Sequence, residues 1–138
     1  MAEYASRTRV PADKTRLQIE ELMRKRGADQ FFSGADGQRA VLAFRLNGRH
    51  IRFVLPLEGL RSEQQRMARW RALWLVTKAK LEAIDIGILT LEEAFLADTI
   101  LPNRQTVAEV MLPQIEDAYR SGEMPKLLPW YGSAAEPK

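Results

Sequence analysis

The side chains able to do chemistry in this sequence are few in kind. His50 is the one histidine, no Ser/Asp arrangement near it suggests a triad, and cysteine is absent. Thiol nucleophiles, thiolate metal sites, disulfides and histidine-rich metal centres are therefore excluded. Catalysis would have to come from carboxylates. Glu92, Glu93, Asp98, Glu116 and Asp117 gather in the last third of the chain and would hold Mg²⁺, as a nuclease requires, if they converged. Adjacent carboxylates on a helix point in different directions, however, and usually face solvent. Neither a GxGxxG nor a GxxxxGK[ST] phosphate loop occurs, and the run from Gly34 to Gly37 reads as a turn. The expectation is a binding protein rather than an enzyme, with no cofactor and no metal.

Arginine and lysine are plentiful and unevenly placed. The formal net charge is only +3, yet residues 1–80 hold 17 Lys/Arg against 8 Asp/Glu, and residues 81–138 hold 4 against 10. A chain this polar suits a polyanion-binding face, an acidic partner, or self-association between unlike faces. The basic candidates fall in four groups: Arg7 and Arg9 near the N-terminus; Arg24, Lys25 and Arg26 together; Arg39, Arg45, His50 and Arg52 in the middle; and Arg69, Arg71, Lys78 and Lys80 beyond.

The elements that must position these groups can be read from spacing. Residues 1–10 have few large apolar groups and read as a flexible basic arm. From about Asp13 to Arg26, Thr15, Ile19, Leu22 and Met23 make a helical apolar stripe closed by Gly27. Arg24, Lys25 and Arg26 then occupy the last turn, where cations also complement the helix dipole. In RAVLAFRLNGRHIRFVL, two alternating runs flank Asn47-Gly48, the pair that favours a type I′ turn. A two-residue loop sets the register, with Leu46 opposite Arg49, Phe44 opposite Ile51 and Val41 opposite Val54. One face then carries Leu42, Phe44, Ile51, Phe53 and Leu55. The other carries Arg39, Arg45, His50 and Arg52 around Val41, Ala43 and Val54, with Arg45 and Arg52 as diagonal neighbours that would repel unless an anion or acidic group lies between them. A further short strand through Phe31 and Phe32 completes a three-stranded antiparallel meander.

Ser62 to Gln65 is a capping-box pattern opening a long helix to about Asp85. Met67, Trp70, Leu73, Trp74, Thr77, Leu81 and Ile84 form one apolar face, and Ala68, Ala72, Leu75, Val76, Ala79 and Ala83 line the opposite side. Both sides are expected to be covered: the tryptophan side by the sheet, the alanine side by C-terminal helices or a second subunit. Trp70 and Trp74 read as core rather than as a stacking platform. Two more capping boxes, Thr90 with Glu93 and Thr106 with Glu109, open acidic C-terminal helices, the last expected to kink or restart at Pro113 and to end at Gly122. Leu127, Leu128, Trp130 and Tyr131 should dock on the body or a partner. The expected organisation is an arm at 1–10, one α+β domain at 11–131 and a flexible tail at 132–138. No apolar run is long enough for a membrane span and no signal peptide is evident, so a cytoplasmic protein is expected.

The segments GRHIRFVLPL and WRALWLVTKAKLEAIDIGILTLEEAFLADTILPNRQTV, following KTRLQIEELMRKRGA, resemble small uncharacterised proteins of bacteriophages and prophages over about residues 14–128. That family has no established activity or catalytic residues, so the resemblance assigns no role to any position. It implies a phage setting in a host bacterial cytoplasm, where small proteins handle DNA or disable host defence proteins. Together these readings favour a nucleic-acid-binding accessory protein, contacting the phosphate backbone of DNA or RNA through the arginine face of the sheet, extended by the arm, the first helix end and the flanks of the long helix. The alternative is an inhibitor or adaptor that binds a host protein. An open alanine stripe would add a homodimer or a partner helix to the expected partners.

Overall fold

The computed structural model describes residues 2–125, with side chains from residue 13 onward. In chain order the elements are helix α1 (Ala2–Arg24), strands β1 (Asp29–Ala35), β2 (Arg39–Leu46) and β3 (Arg49–Pro56), helix α2 (Glu63–Ile86), the single turn α3 (Leu91–Ala94) and helix α4 (Val107–Ser121). The strands form an antiparallel meander in the order β1-β2-β3, so the fold is α+β as the periodicity predicts. The segment 127–131 and the tail 132–138 lie outside the described residues.

The hairpin follows its turn chemistry. Asn47 and Gly48 have φ of 54° and 74°, the two positive angles a type I′ turn needs. Every β2–β3 pair from Leu46↔Arg49 to Val41↔Val54 has the register set by that turn. The face with Leu42, Phe44, Ile51, Phe53 and Leu55 is buried. Phe31, Phe44, Phe53 and Phe95 stack in series beneath it, with successive ring centroids 5.6, 5.4 and 6.0 Å apart. Helices α1 and α2 cover this face: Ile19 and Met23 from α1, and Trp70, Thr77 and Leu81 from α2, are buried against it.

One expectation is corrected and two are narrowed. Helix α1 starts at Ala2 rather than near Asp13, so the backbone of the expected arm is helical and Arg7 and Arg9 lie on α1. Ala, Glu and Arg in that stretch are good helix formers, and no glycine intervenes before Gly27. Of the two outcomes expected at Pro113 the fresh start does not occur: helix α4 runs through it, forgoing the hydrogen bond that the Glu109 carbonyl would otherwise receive. Finally, within this chain α2 is covered on one side only, so the C-terminal helices do not supply the cover expected on the alanine side. Ala68, Ala72 and Ala79 are exposed, as are Leu75 and Val76 at 54% and 50%.

The reason lies in where the chain goes after Gly87, whose φ of 93° ends α2. Helix α3 packs against α2, burying Phe95. The following residues then pair with the free edge of β3: Arg52 N donates to the Asp98 carbonyl at 2.9 Å and Ile100 N to the His50 carbonyl at 2.8 Å. This irregular strand covers an edge that would otherwise be open. It carries α4 with it, through Val107 N to Thr99 O at 2.9 Å, so α4 sits beside the sheet and away from the alanine side of α2. Among the described residues no helix is long and apolar enough to cross a membrane.

Candidate nucleic-acid interface

The outer face of the sheet holds the four residues placed there by the register, and the fold supplies most of the cations with carboxylates. Arg45 donates through Nε and Nη2 to the two oxygens of Asp29 at 3.1 and 3.0 Å. The pairing holds the Asp29 carboxyl below its ordinary range and raises the Arg45 guanidinium. Arg52 donates to Glu109 Oε1 at 2.9 Å. Glu109 also accepts from the Thr106 backbone amide in the capping box that opens α4, and that bond is the main reason its carboxyl sits low, with Arg52 adding to it. Arg49, at the turn, reaches Glu92 at 3.2 Å. The acidic groups that relieve the Arg45–Arg52 repulsion are thus two separate ion pairs, both contributed from outside the hairpin.

Arg39 differs from its neighbours. Its backbone amide, with that of Gln38, donates to Asp36 Oδ1, which lowers the Asp36 carboxyl. The charge of Arg39 adds weakly to that lowering, but among the described residues no carboxylate forms an ion pair with its guanidinium. His50 is exposed, and its carbonyl takes part in the edge pairing with Ile100.

The cations of the helices divide in the same way. Arg24 bonds Glu21 at 3.1 Å and lies over the Phe31 ring at 4.8 Å. Arg26 makes a two-pronged pair with Asp85, both bonds 2.8 Å, tying the C-terminal end of α1 to that of α2. Arg69 donates to the Pro56 carbonyl at 2.8 Å. Lys80 lies 3.8 Å from Asp98 and over Phe95. Burial pushes the Asp98 carboxyl up, against the opposing pull of Lys80.

Lys14, Lys25, Arg71 and Lys78 remain, all exposed and without a carboxylate partner among the described residues. The ammonium of Lys78 lies over the Trp74 ring at 5.0 Å. Lys14, Thr15 and Gln18 of α1 line a groove of about 380 Å³ with Gln64, Met67, Ala68 and Arg71 of α2. The Arg26–Asp85 pair at one end and the Lys14–Gln64 neighbourhood at the other make α1 and α2 run parallel. Helical spacing then places Lys25 eleven residues on from Lys14 along one rim, and Lys78 seven on from Arg71 along the other. Glu82 stands further along the α2 rim and moderates the charge there. The structure therefore places Arg71, one of the expected cations, in a groove with Lys14, which the sequence pattern does not single out, and leaves the sheet face close to balanced.

The candidate metal ligands do not meet. Glu92 serves Arg49, Glu93 closes the capping box of α3, and Asp117 pairs with Arg120 on α4. Among the described residues no group of three His, Asp or Glu side chains is placed to hold a metal. Trp70 is buried and Trp74 half-buried in the core, as their spacing implies.

One residue on the outer sheet face is not singled out by the sequence pattern. Phe32, 65% exposed, lies with Arg39, Val41, Ala43, Arg52 and Ile100 along a shallow groove of about 450 Å³. Two consecutive phenylalanines at the start of a strand must face opposite sides, and that is the signal the sequence offers; the bulge between Asp29 and Phe32 hides which one turns outward. No family model matches the chain, and neither a curated protein nor a solved structure matches it.

Proposed function

We propose that the protein is a non-enzymatic nucleic-acid-binding accessory protein that holds a phosphate backbone mainly in the groove between α1 and α2. The observation that carries this reading is the contrast in pairing. Arg45, Arg49, Arg52 and Arg26 each have a carboxylate within 3.2 Å, whereas Lys14, Lys25 and Arg71 are exposed without one among the described residues. Unpaired cations are neutralised by mobile counterions, and a phosphate backbone that replaces those counterions gains from their release. A cation already held by a carboxylate offers less, because binding must first break its pair. Arg39 remains a secondary contact on the sheet, and Arg7 and Arg9 lie on α1, the helix that forms one rim of the groove.

The test is fluorescence anisotropy with labelled single- and double-stranded DNA and RNA over a salt series. Binding should weaken steeply with salt and fall when Lys14→Glu is combined with Arg71→Glu. Binding unchanged by that pair of substitutions would overturn the reading.

A second reading, an inhibitor or adaptor that binds a host protein, is favoured by the open side of α2, where Leu75 and Val76 are exposed beside the alanines. It expects Leu75→Asp to abolish partner capture while leaving salt-dependent nucleic-acid binding unchanged. The opposite pattern removes it.

A further inference from the structure

We propose that the groove on the outer face of the sheet is a stacking site for an unpaired nucleobase, with the Phe32 ring as its platform and Arg39 as the contact for the attached phosphate. The ligand class rests on the nucleic-acid reading above, but the face and the residues are different ones.

The geometry begins with the bulge in β1. Gln30 adopts φ of 57°, and the register with β2 shifts between Asp29 and Phe32. Phe31 consequently turns into the core against Phe44, while Phe32, paired with Ala43, turns outward. The ring is left 65% exposed on the outer face, where covering it with a flat apolar surface would be favourable.

Two residues further along the same face stands Gly34. A Cβ built there would lie 3.9 Å from Cζ of the Phe32 ring, in ordinary contact. The tip of the ring therefore leans along the strand toward Gly34, and most of its surface stays exposed. Ala43 and Val41 continue the floor with small groups, and Ile100 from the edge segment belongs to the same groove. A flat heterocycle can rest on such a floor.

The groove also supplies charge. Arg39 opens β2 opposite Pro56, at the end of the sheet from which the chain leaves for α2, and its side chain lines the groove. Asp36 is close by, with its Oδ1 engaged by two backbone amides. Arg52 lines the groove but is committed to Glu109. One guanidinium without an ion pair among the described residues, beside one exposed aromatic ring, is what a single nucleotide offers in reverse, a phosphate linked to a π-surface. Stacking of a base on an aromatic side chain contributes about tenfold in affinity and tolerates any base. Bases inside a duplex are already stacked and cannot reach the ring, so the site selects single strands.

The experiment compares wild type, Phe32→Ala and Phe32→Tyr by anisotropy against three labelled probes of equal length: an oligothymidylate, a duplex, and a strand of abasic sites that keeps the phosphates and lacks the bases. Because Phe32 is exposed, Phe32→Ala should leave the thermal midpoint and circular dichroism unchanged. Wild type should bind the oligothymidylate roughly tenfold more tightly than the abasic strand. Phe32→Ala should erase that difference with little effect on the duplex, and Phe32→Tyr should restore it. If wild type binds the probes but Phe32→Ala weakens all three equally or none, the stacking site is overturned and backbone binding stands. If wild type binds none of them even at low salt, both readings fail together.

Discussion

The outer face of the sheet and the groove between α1 and α2 draw on the same exposed residue types and end in different electrostatic states. On the sheet, Arg45 meets Asp29 and Arg52 meets Glu109, so the arginines that alternate so clearly along the hairpin are held by acids from β1 and α4. In the groove, Lys14 and Arg71 face each other across two parallel helices with no such acid beside them among the described residues. The strand alternation ranks the sheet first, and the pairing reverses the order. Exposed ion pairs are weak, with typical strengths of about 0–1 kcal/mol. They do not lock the sheet arginines away, but they lower what a phosphate gains by replacing the carboxylate.

That contrast can be broken in both directions. The largest effect is expected from reversing the groove: Lys14→Glu with Arg71→Glu should lower nucleic-acid affinity at low salt by about tenfold or more, measured by anisotropy. A smaller, opposite effect is expected from unpairing the sheet. Asp29→Asn with Glu109→Gln frees Arg45 and Arg52, and the substituted glutamine side chain can still close the capping box of α4, so affinity should rise by roughly twofold to fivefold and its salt dependence should steepen. If affinity does not rise, the pairs are not what keeps the sheet from contributing.

The same pairs should be visible in the response to acid. The carboxyls of Asp29 and Glu109 have folded-state pKa values below their ordinary ones. The stability they contribute is therefore complete above the ordinary carboxylate range and is lost as pH falls through the depressed folded values. Urea midpoints measured from about pH 5 to pH 3 should fall in the wild type and fall less in the Asp29→Asn, Glu109→Gln protein. Asp98 has the opposite sign. Its carboxyl is raised by burial, so the folded state carries the proton more readily, and stability is lost as pH rises through that folded value. Asp98→Asn should give a small gain in thermal midpoint at pH 7 that disappears in acid, the smallest of these effects.

How much of this is legible in the sequence follows from the range of each interaction. Asn47-Gly48 and the alternation around it set the hairpin register pair by pair, because turn and strand periodicity are local. The three capping boxes at Ser62, Thr90 and Thr106 are equally readable, since each spans four residues. What is not readable depends on distant partners. Asp29 lies 16 residues from Arg45 and Glu109 lies 57 from Arg52, and nothing in the local pattern joins them. The cover of α2 departs from expectation for a related reason. Its alanine side is apolar enough to suggest a neighbour, but the route from Gly87 back to the β3 edge takes α4 elsewhere. The pattern places Phe32 in its strand but not on its face, because one bulge inverts the alternation.

The most direct test of the contrast is the slope of log affinity against log salt for wild type, for Lys14→Gln with Arg71→Gln, and for Arg45→Gln with Arg52→Gln. Each phosphate contact contributes about 0.7 to 0.9 to that slope. The groove pair should flatten it by about 1.5, and the sheet pair should leave it within error of wild type. A slope that flattens for the sheet pair and not for the groove pair would contradict the assignment of the groove as the phosphate-binding surface.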